Sequence, residues 1–278
     1  MYRIGRTLLL VIALGLCCLA PRHGSAANPA LTESVIDVGQ GDAILVEFPN
    51  GKDMLVDAGP PGAGAKVVSC LKQRGVKRID ILVESHPHAD HIGGMQAVLK
   101  AFPVGEVWES GYHGTSALEK SFERAVTNLS IQEYIVSAGH SEKEGEATIS
   151  VLAPVKLLKN TGSDANNNSV VIRVDYGATS TLLTGDQEAK ERATVTDWKP
   201  VTLLKTAHHG SRTGVDMNWI KRVQPKLVAI SCGKGNKYKH PHNGAMVAFK
   251  SVGAEIHRTD KEGTLAFVSD GSKVAVAE

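Results

Sequence analysis

The segment "IDILVESHPHADHIGGMQAVLKAF", from Ile79 to Phe102, limits the possible folds more than any other part of the chain. It opens with a continuous apolar run of strand length. Such a run suits a strand buried on both faces, in a sheet with a further layer on either side. Its last part places Ile92, Met95, Val98 and Leu99 at helical spacing. Between the two, three histidines and an aspartate fall within the six positions from His86 to His91. The cluster therefore occupies a strand-to-helix turn. Open α/β sheets gather ligands at the carboxyl ends of their strands, so this is where a site would form.

The same pattern recurs twice. "STLLTGD" ends in Asp186 after an apolar run, and "VTLLKTAHHG" ends in His208 and His209. Other strand-like runs, among them "ESVIDVG", "AILVEF", "DMLVDAG", "TISVLAP" and "SVVIRVDYG", alternate with helix-like ones such as "AKVVSCLKQRG" and "ALEKSFERAVTNL". No repeat of 20 to 50 residues and no Pro/Gly/Ser-rich linker interrupts them. With 42% apolar and 22% charged residues in 278, the expectation is a single α/β domain over residues 27–278.

Residues 1–26 read as a secretory signal peptide: Arg3 and Arg6, an apolar run from Thr7 to Ala20, then small residues, with cleavage expected after Ala26. The run is short for a membrane span, which takes about 20 residues. Export to the periplasm or the medium is the expectation, with membrane anchoring the weaker alternative. Loss of Arg3, Arg6 and Arg22 from the 31 basic residues leaves 28 against 29 acidic. A chain so balanced lacks the overall basicity typical of nucleic-acid binders, so any polyanion site must be local. Of the four cysteines only Cys70 and Cys232 lie beyond the signal, and their spacing gives no reason for them to pair.

Neutral imidazole and carboxylate are standard zinc ligands, and a catalytic ion keeps one position open for water. His86 and His88, two residues apart, can reach one ion from a bent loop. Asp90 and His91 emerge towards a second, and Asp186, arriving from another strand, could bridge the two. A pair of ions about 3.5–4 Å apart activates water near neutral pH and stabilises both attacking and leaving oxygens, so hydrolysis is the expected reaction. A structural metal site, or a polar turn capped by Asp90, is the competing reading. Structural zinc favours cysteine, however, and neither remaining cysteine is near in sequence.

"HPHADH" fits the H-x-H-x-D-H motif of the metallo-β-lactamase superfamily, and "TGD" with "HHGS" resembles the branch formed by the soluble domain of the ComEC competence proteins. The resemblance runs from about Glu33 to Gly271 through "IDVGQGDAILVEFPNGKDMLVDAG", "SHPHADHIGG", "NNNSVVIRVDYG", "LLTGD", "LKTAHHGSRT", "PKLVAISCGKGNKYKHPH" and "RTDKEGTLAFVSDG". It implies a four-layer αββα sandwich with two metals at one end of two facing sheets. His86 and His88 would serve the first metal, Asp90 and His91 the second, and Asp186 both. His209 would be the late histidine, with His208 as its stand-in, and Asp90 would also orient the water. Many members supply a further histidine before the "TGD" strand; His113 is the candidate here. The "NNNS" segment, with Asn168 and Ser169, resembles the ComEC branch and is a candidate substrate contact. No transmembrane segment follows the expected signal, so the chain resembles a free-standing relative without a channel, and DNA uptake does not carry over.

The loop "GKGNKYKHPHNG" sets Lys234, Lys237 and Lys239 around Tyr238, next to His240 and His242. Lysines with an aromatic ring can engage the phosphates and bases of a single strand, although a charge run is commonly just a solvated face. His240 resembles a family position that faces the site, and is the candidate proton donor or phosphate contact. His257, Arg258 and Asp260 suit a salt-bridged turn. The expectation is a binuclear hydrolase cleaving phosphodiesters, most simply a nuclease acting on exported or environmental DNA, with single-stranded DNA or another phosphodiester as the substrate. The alternatives are an amide or ester hydrolase of the β-lactamase or lactonase kind, and a non-catalytic nucleic-acid binder. Histidine and carboxylate suit zinc, and a first site short of a ligand would also accept manganese. Nothing in the sequence indicates an oligomeric state.

Overall fold

The computed structural model describes residues 30–277. The expected signal peptide, residues 1–26, therefore lies outside the described residues. The described residues open with β1 (Leu31–Val35), β2 (Ile44–Glu47), β3 (Asp53–Val56), β4 (Ile79–Val83), β5 (Val104–Glu109) and β6 (Gln132–Ile135). It continues with β7 (Ser141–Glu144), β8 (Ala147–Ala153), β9 (Val171–Tyr176), β10 (Thr179–Leu183), β11 (Leu203–Lys205), β12 (Leu227–Ile230) and β13 (Glu255–Arg258), and ends with β14 (Leu265–Ser269) and β15 (Val274–Val276). The first six strands and the last two form one sheet, ordered β15-β14-β1-β2-β3-β4-β5-β6; the others form a second, ordered β13-β12-β11-β10-β9-β8-β7. Each sheet has a parallel block, β3 to β6 in the first and β10 to β13 in the second.

Period-two alternation divides each strand between two cores. In β2 and β3, Ile44, Val46, Met54 and Val56 point between the sheets, where they meet Ile172, Val174, Leu203 and Ala229 of the second sheet. The intervening Leu45 and Leu55 point outward against Val67 and Leu71 of α1 (Gly64–Gln73) and Val98 of α3 (Met95–Ala101). On the far side, Leu204, Val228 and Ile230 meet Ile220 of α6 (Met217–Val223) and Phe249 of α7 (Asn243–Ser251). Three apolar interfaces make four layers, αββα, and strands buried on both faces need continuous apolar runs such as "IDILV".

Two helices start on side-chain caps: Ser116 accepts from the backbone of Glu119 at 3.1 Å to open α4 (Ala117–Asn128), and Asp216 accepts from that of Trp219 at 2.9 Å to open α6. The helix expected across "HIGGMQAVLKAF" is broken at Gly93–Gly94 into a single turn, α2 (Ala89–Ile92), followed by α3. The cause is tertiary. A Cβ on Gly94 would collide with the carbonyl oxygen of Ala58, and one on Gly93 with the Pro60–Pro61 backbone. Cys70 and Cys232 are both buried. Arg258 and Asp260 pair at 2.8 Å, as a salt-bridged turn requires. Among the described residues no helix is long and apolar enough to cross a membrane.

Candidate metal centre

Three strand ends converge. After β4, His86, Pro87 and His88 form a bend, and His88 is the extended residue from which α2 starts, so Asp90 and His91 fall in the first turn of that helix. After β10, Thr184 and Gly185 lead to Asp186, and Gly185 packs so closely on Ser85 that a Cβ there would lie 3.0 Å from that of Ser85. After β11, a tight turn over Ala207–Gly210 holds His208 and His209 at φ 48° and φ 53°. Such left-handed backbone costs a non-glycine residue on the order of 1–3 kcal/mol and persists only where its surroundings enforce it.

Asp186 lies between two groups of side chains. Its Oδ1 is 3.3 Å from His91 Nε2 and 3.5 Å from His209 Nε2, and His209 Nε2 is 3.4 Å from Asp90 Oδ2. Its Oδ2 is 3.5 Å from His208 Nε2 and 3.9 Å from His86 Nε2, and the latter is 3.0 Å from His88 Nδ1. His91 Nε2, His209 Nε2 and Asp186 Oδ1 are buried without a hydrogen-bond partner. Buried polar atoms are rarely left so. Tetrahedral ligands about 2.1 Å from an ion lie about 3.4 Å from one another, so the spacing of the orphaned atoms matches that of ligands around a common cation. The donor sets Asp90, His91, Asp186, His209 and His86, His88, Asp186 each fit one divalent ion.

Neighbouring groups aim these ligands. His91 Nδ1 donates to Asp57 Oδ2 at 2.7 Å, and the same carboxylate accepts from the backbone and hydroxyl of Ser85 at 2.9 and 2.7 Å. His209 Nδ1 donates to the carbonyl of Ser231 at 3.1 Å and lies 3.3 Å from Asp42, whose other oxygen accepts from the buried Lys205 ammonium at 2.6 Å. Both rings are thereby fixed with Nε2 turned to Asp186, the usual arrangement around ligating histidines.

Burial, reinforced by His91, holds the His86 imidazole well below its ordinary value, and burial lowers His88 against the opposing pull of Asp186 and Asp90, which favours the neutral form of both, with a lone pair to offer. Burial also opposes charge on His91 and His209. There, however, the carboxylates prevail: Asp186 and Asp57 raise His91, and Asp186 and Asp42 raise His209 to about 10. Burial works against ionisation of Asp186 too, and the surrounding His209, His91 and His208 overcome it.

The model of the family described as "Metallo-beta-lactamase superfamily" matches residues 36–234, more than half of the chain. The chain belongs to the metallo-beta-lactamase superfamily. It is 29% identical over 284 residues to ComE operon protein 3 of Bacillus subtilis, covering 93% of this chain and 36% of that one. It is 31% identical over 239 residues to Competence protein ComA of Neisseria gonorrhoeae (84% and 32%), and 29% identical over 243 residues to Recombination protein 2 of Haemophilus influenzae (85% and 29%). The chain thus spans about a third of the length of these relatives. Among solved structures, the metallo-beta-lactamase fold protein YhfI of Bacillus subtilis superposes with a TM-score of 0.58 at 14% identity, over 86% of this chain and 99% of that one. The diiron β-hydroxylase CmlA of Streptomyces venezuelae gives 0.55 at 15% identity, over 84% and 53%. At such identities the structures speak for the fold alone, and the superfamily fold is the one expected from the sequence.

The structure brings His86, His88, Asp90, His91, Asp186, His208 and His209 together. His113, the expected further ligand of the first superfamily site, is not among them: it is exposed, with Nδ1 3.2 Å from Glu123. His208 instead faces the oxygen of Asp186 that also faces His86, so the two adjacent histidines address opposite oxygens of one carboxylate. Asn168 is also placed otherwise than expected. Its amide accepts from the backbone of Leu158 and donates to the carbonyls of Leu158 and Asp164, closing a loop within the chain. Ser169 donates to the carbonyl of Asn166 at 3.0 Å. Within "NNNS" it is Asn166 that reaches the centre, with Nδ2 3.4 Å from His208 Nδ1.

His240 is buried beside the centre, its ring 5.6 Å from His208 and 6.1 Å from His209, and Gln40 Nε2 lies 3.4 Å from its Nδ1. Burial, then His209 and His208, lower it to about 4. At neutral pH it is therefore an uncharged hydrogen-bonding group, not an imidazolium acid. Tyr238, half exposed, stacks on His240 at 5.6 Å and 21°, and Lys237 Nζ lies 5.1 Å over the tyrosine ring. Lys234 and Lys239 are exposed on the same loop, and His242 opens α7 while accepting from the backbone of Arg212 at 3.1 Å. Sequence reasoning gave no role to Asp42, Asp57 or Lys205. A signal was available, since each acid stands at the edge of a strand-like run and Lys205 ends another.

Proposed function

We propose that the protein is a metal-dependent phosphodiesterase acting on a nucleic-acid strand. The observation that carries this reading is the half-exposed Tyr238 stacked on His240, which itself borders the two ligand groups. An aromatic face accepts a base of any identity, and Lys234, Lys237 and Lys239 around it suit the flanking phosphates. The name of one relative, a recombination protein, is in keeping with such a substrate.

His86, His88 and His208 with Asp186 Oδ2 would hold one ion, and Asp90, His91 and His209 with Asp186 Oδ1 the other. When bound, two such ions supply an activated water and offset charge on the phosphoryl oxygens. Of the two ligand carboxylates Asp90 is the more exposed, 33% against 2% for Asp186, so it is the one that meets solvent and can orient a water or take its proton. Neutral His240 can donate a hydrogen bond to a phosphate oxygen without competing for the ions.

The reading is tested by stripping the protein of metal, restoring zinc or manganese separately, and assaying single-stranded DNA, a chromogenic phosphodiester and a chromogenic cephalosporin in parallel. Metal-dependent cleavage of the phosphodiesters is the expected result. Cleavage of the cephalosporin alone would mean that the ComEC-like features follow the fold and not the substrate. Asp186→Ala should abolish turnover while the far-ultraviolet circular dichroism is unchanged. Near wild-type turnover in that variant would rule out the two-ion centre. Export is part of the same proposal: the mature protein should begin at Ala27 when its N-terminus is sequenced from the producing cell.

A further inference from the structure

His113 lies in a second group of metal-type ligands, one that shares no member with the centre described above. Glu119 and Glu123 stand four residues apart in α4, on one face of the helix, and His113 approaches them from the preceding loop. One donor atom from each of the three lies within 4.8 Å of the others. Two like charges at this helical spacing repel. Glu84, 7% exposed at the end of β4, adds a third acid, and the strongest charges acting on it are all carboxylates: Glu119, Glu109, Asp57 and Glu123.

A further observation points to a ligand. Glu119 is 1% exposed, and its Oε1 accepts from the backbone of Gly114, yet its Oε2 is buried with no hydrogen-bond partner. The N-cap of α4 does not account for this atom, because Ser116 and Gly114 between them use only the backbone N–H of Glu119 and its other oxygen. Ligands about 2.1 Å from one ion lie at most about 4.2 Å apart. The side chains of His113 and Glu123 both reach solvent, and can close the remaining fraction of an ångström without moving the backbone.

We propose that His113, Glu119 and Glu123 form a separate cation site, which takes one first-row divalent ion and fastens the loop over residues 110–116 to α4. Two carboxylates with one imidazole suit manganese or zinc, and the exposed side leaves room for water to complete the shell. The loop packs on the metal centre's own turn: a Cβ on Gly114 would lie 3.6 Å from Cγ of Pro87, the residue between His86 and His88. An ion here therefore steadies the wall of the centre without belonging to it.

The test is Mn2+ uptake at saturation by the full chain, measured by equilibrium dialysis for wild type, for the double variant His113→Ala/Glu123→Gln and for Asp186→Ala. Both substituted side chains of the double variant reach solvent, so the fold should survive. The expected result is one Mn2+ fewer per chain in the double variant than in wild type. In Asp186→Ala, added Mn2+ should still slow hydrogen exchange of the amides in residues 111–115, and the double variant should lose that protection. Equal uptake by wild type and double variant would overturn the proposal. Because neither readout involves turnover, the result is independent of whether the protein cleaves phosphodiesters.

Discussion

His91 donates one ring proton to Asp57 at 2.7 Å and turns its other nitrogen, unpartnered, towards Asp186. Asp57 is not one of the proposed ligands; it acts on them through its hydrogen bonds to His91 and to Ser85, whose hydroxyl lies 3.1 Å from His86 Nδ1. Asp57→Asn should therefore weaken zinc binding by about 10–100-fold, measured by chelator competition, with the fold retained. Unchanged affinity would make Asp57 a support for Ser85 alone. Glu33 concerns stability instead of binding. Burial between the sheets raises its carboxyl from 4.5 to about 7, against the opposing hydrogen bond from the Thr181 hydroxyl at 2.8 Å. A folded-state value above the unfolded one gives stability that is full below the unfolded value and is lost as pH rises through the folded one. The protein should accordingly lose on the order of 3 kcal/mol between about pH 4.5 and 7 on account of this group. Glu33→Gln should flatten that part of the profile; urea midpoints at about pH 5 and about pH 8, compared between the two proteins, provide the check.

At the level of elements, α2 and α3 depend on two glycines for their place. His91 accepts from the backbone of Ala58 at 2.7 Å, and Gly94 lies against the carbonyl of the same residue, so the end of β3 and the helix that carries Asp90 and His91 are held together. Gly94→Ala would push them apart at a cost of roughly 1–3 kcal/mol, and should lower metal affinity as well as the melting temperature. A loss of stability with unchanged affinity would show that α2 can move independently of its neighbours. Periodicity in Ile92, Met95, Val98 and Leu99 was enough to read a helix here, since it reports the face that meets the core. It could not reveal the break, which comes from the backbone of another segment approaching Gly93 and Gly94. His113 and Asn168 were misplaced for a related reason: residue type marks a capable ligand or amide, whereas its partner, Glu123 in one case and Leu158 in the other, is fixed by how loops close.

Across the whole molecule, the two facing sheets bring Asp186 and His209 to a turn about a hundred residues earlier in the chain. Continuous apolar runs made the buried strands of a single α/β domain legible, the facing of two sheets was implied only by the superfamily resemblance, and ligand-type residues at three strand ends made the cluster legible. The pairing of particular atoms was not, because His208 and His209 are separated only by the left-handed turn that sends them to different oxygens of Asp186. Charge is a further property of the whole. With a formal net charge of +2 over the full sequence, and 28 basic against 29 acidic residues outside the expected signal, the protein has little general attraction for a polyanion, so affinity for a nucleic-acid strand must come from a local surface. Lys234, Lys237 and Lys239 are exposed around Tyr238, and each phosphate they neutralise releases counterions. Replacing all three with glutamine should weaken binding of single-stranded DNA to the metal-loaded protein and reduce the slope of log affinity against log salt by about 0.7 for each phosphate that is no longer neutralised. Binding titrations at several salt concentrations would measure both effects together. A weaker but equally salt-dependent complex would mean that Tyr238 and His240 hold the strand by stacking while its phosphates lie elsewhere. An unchanged slope and affinity would leave the three lysines as ordinary solvated charges.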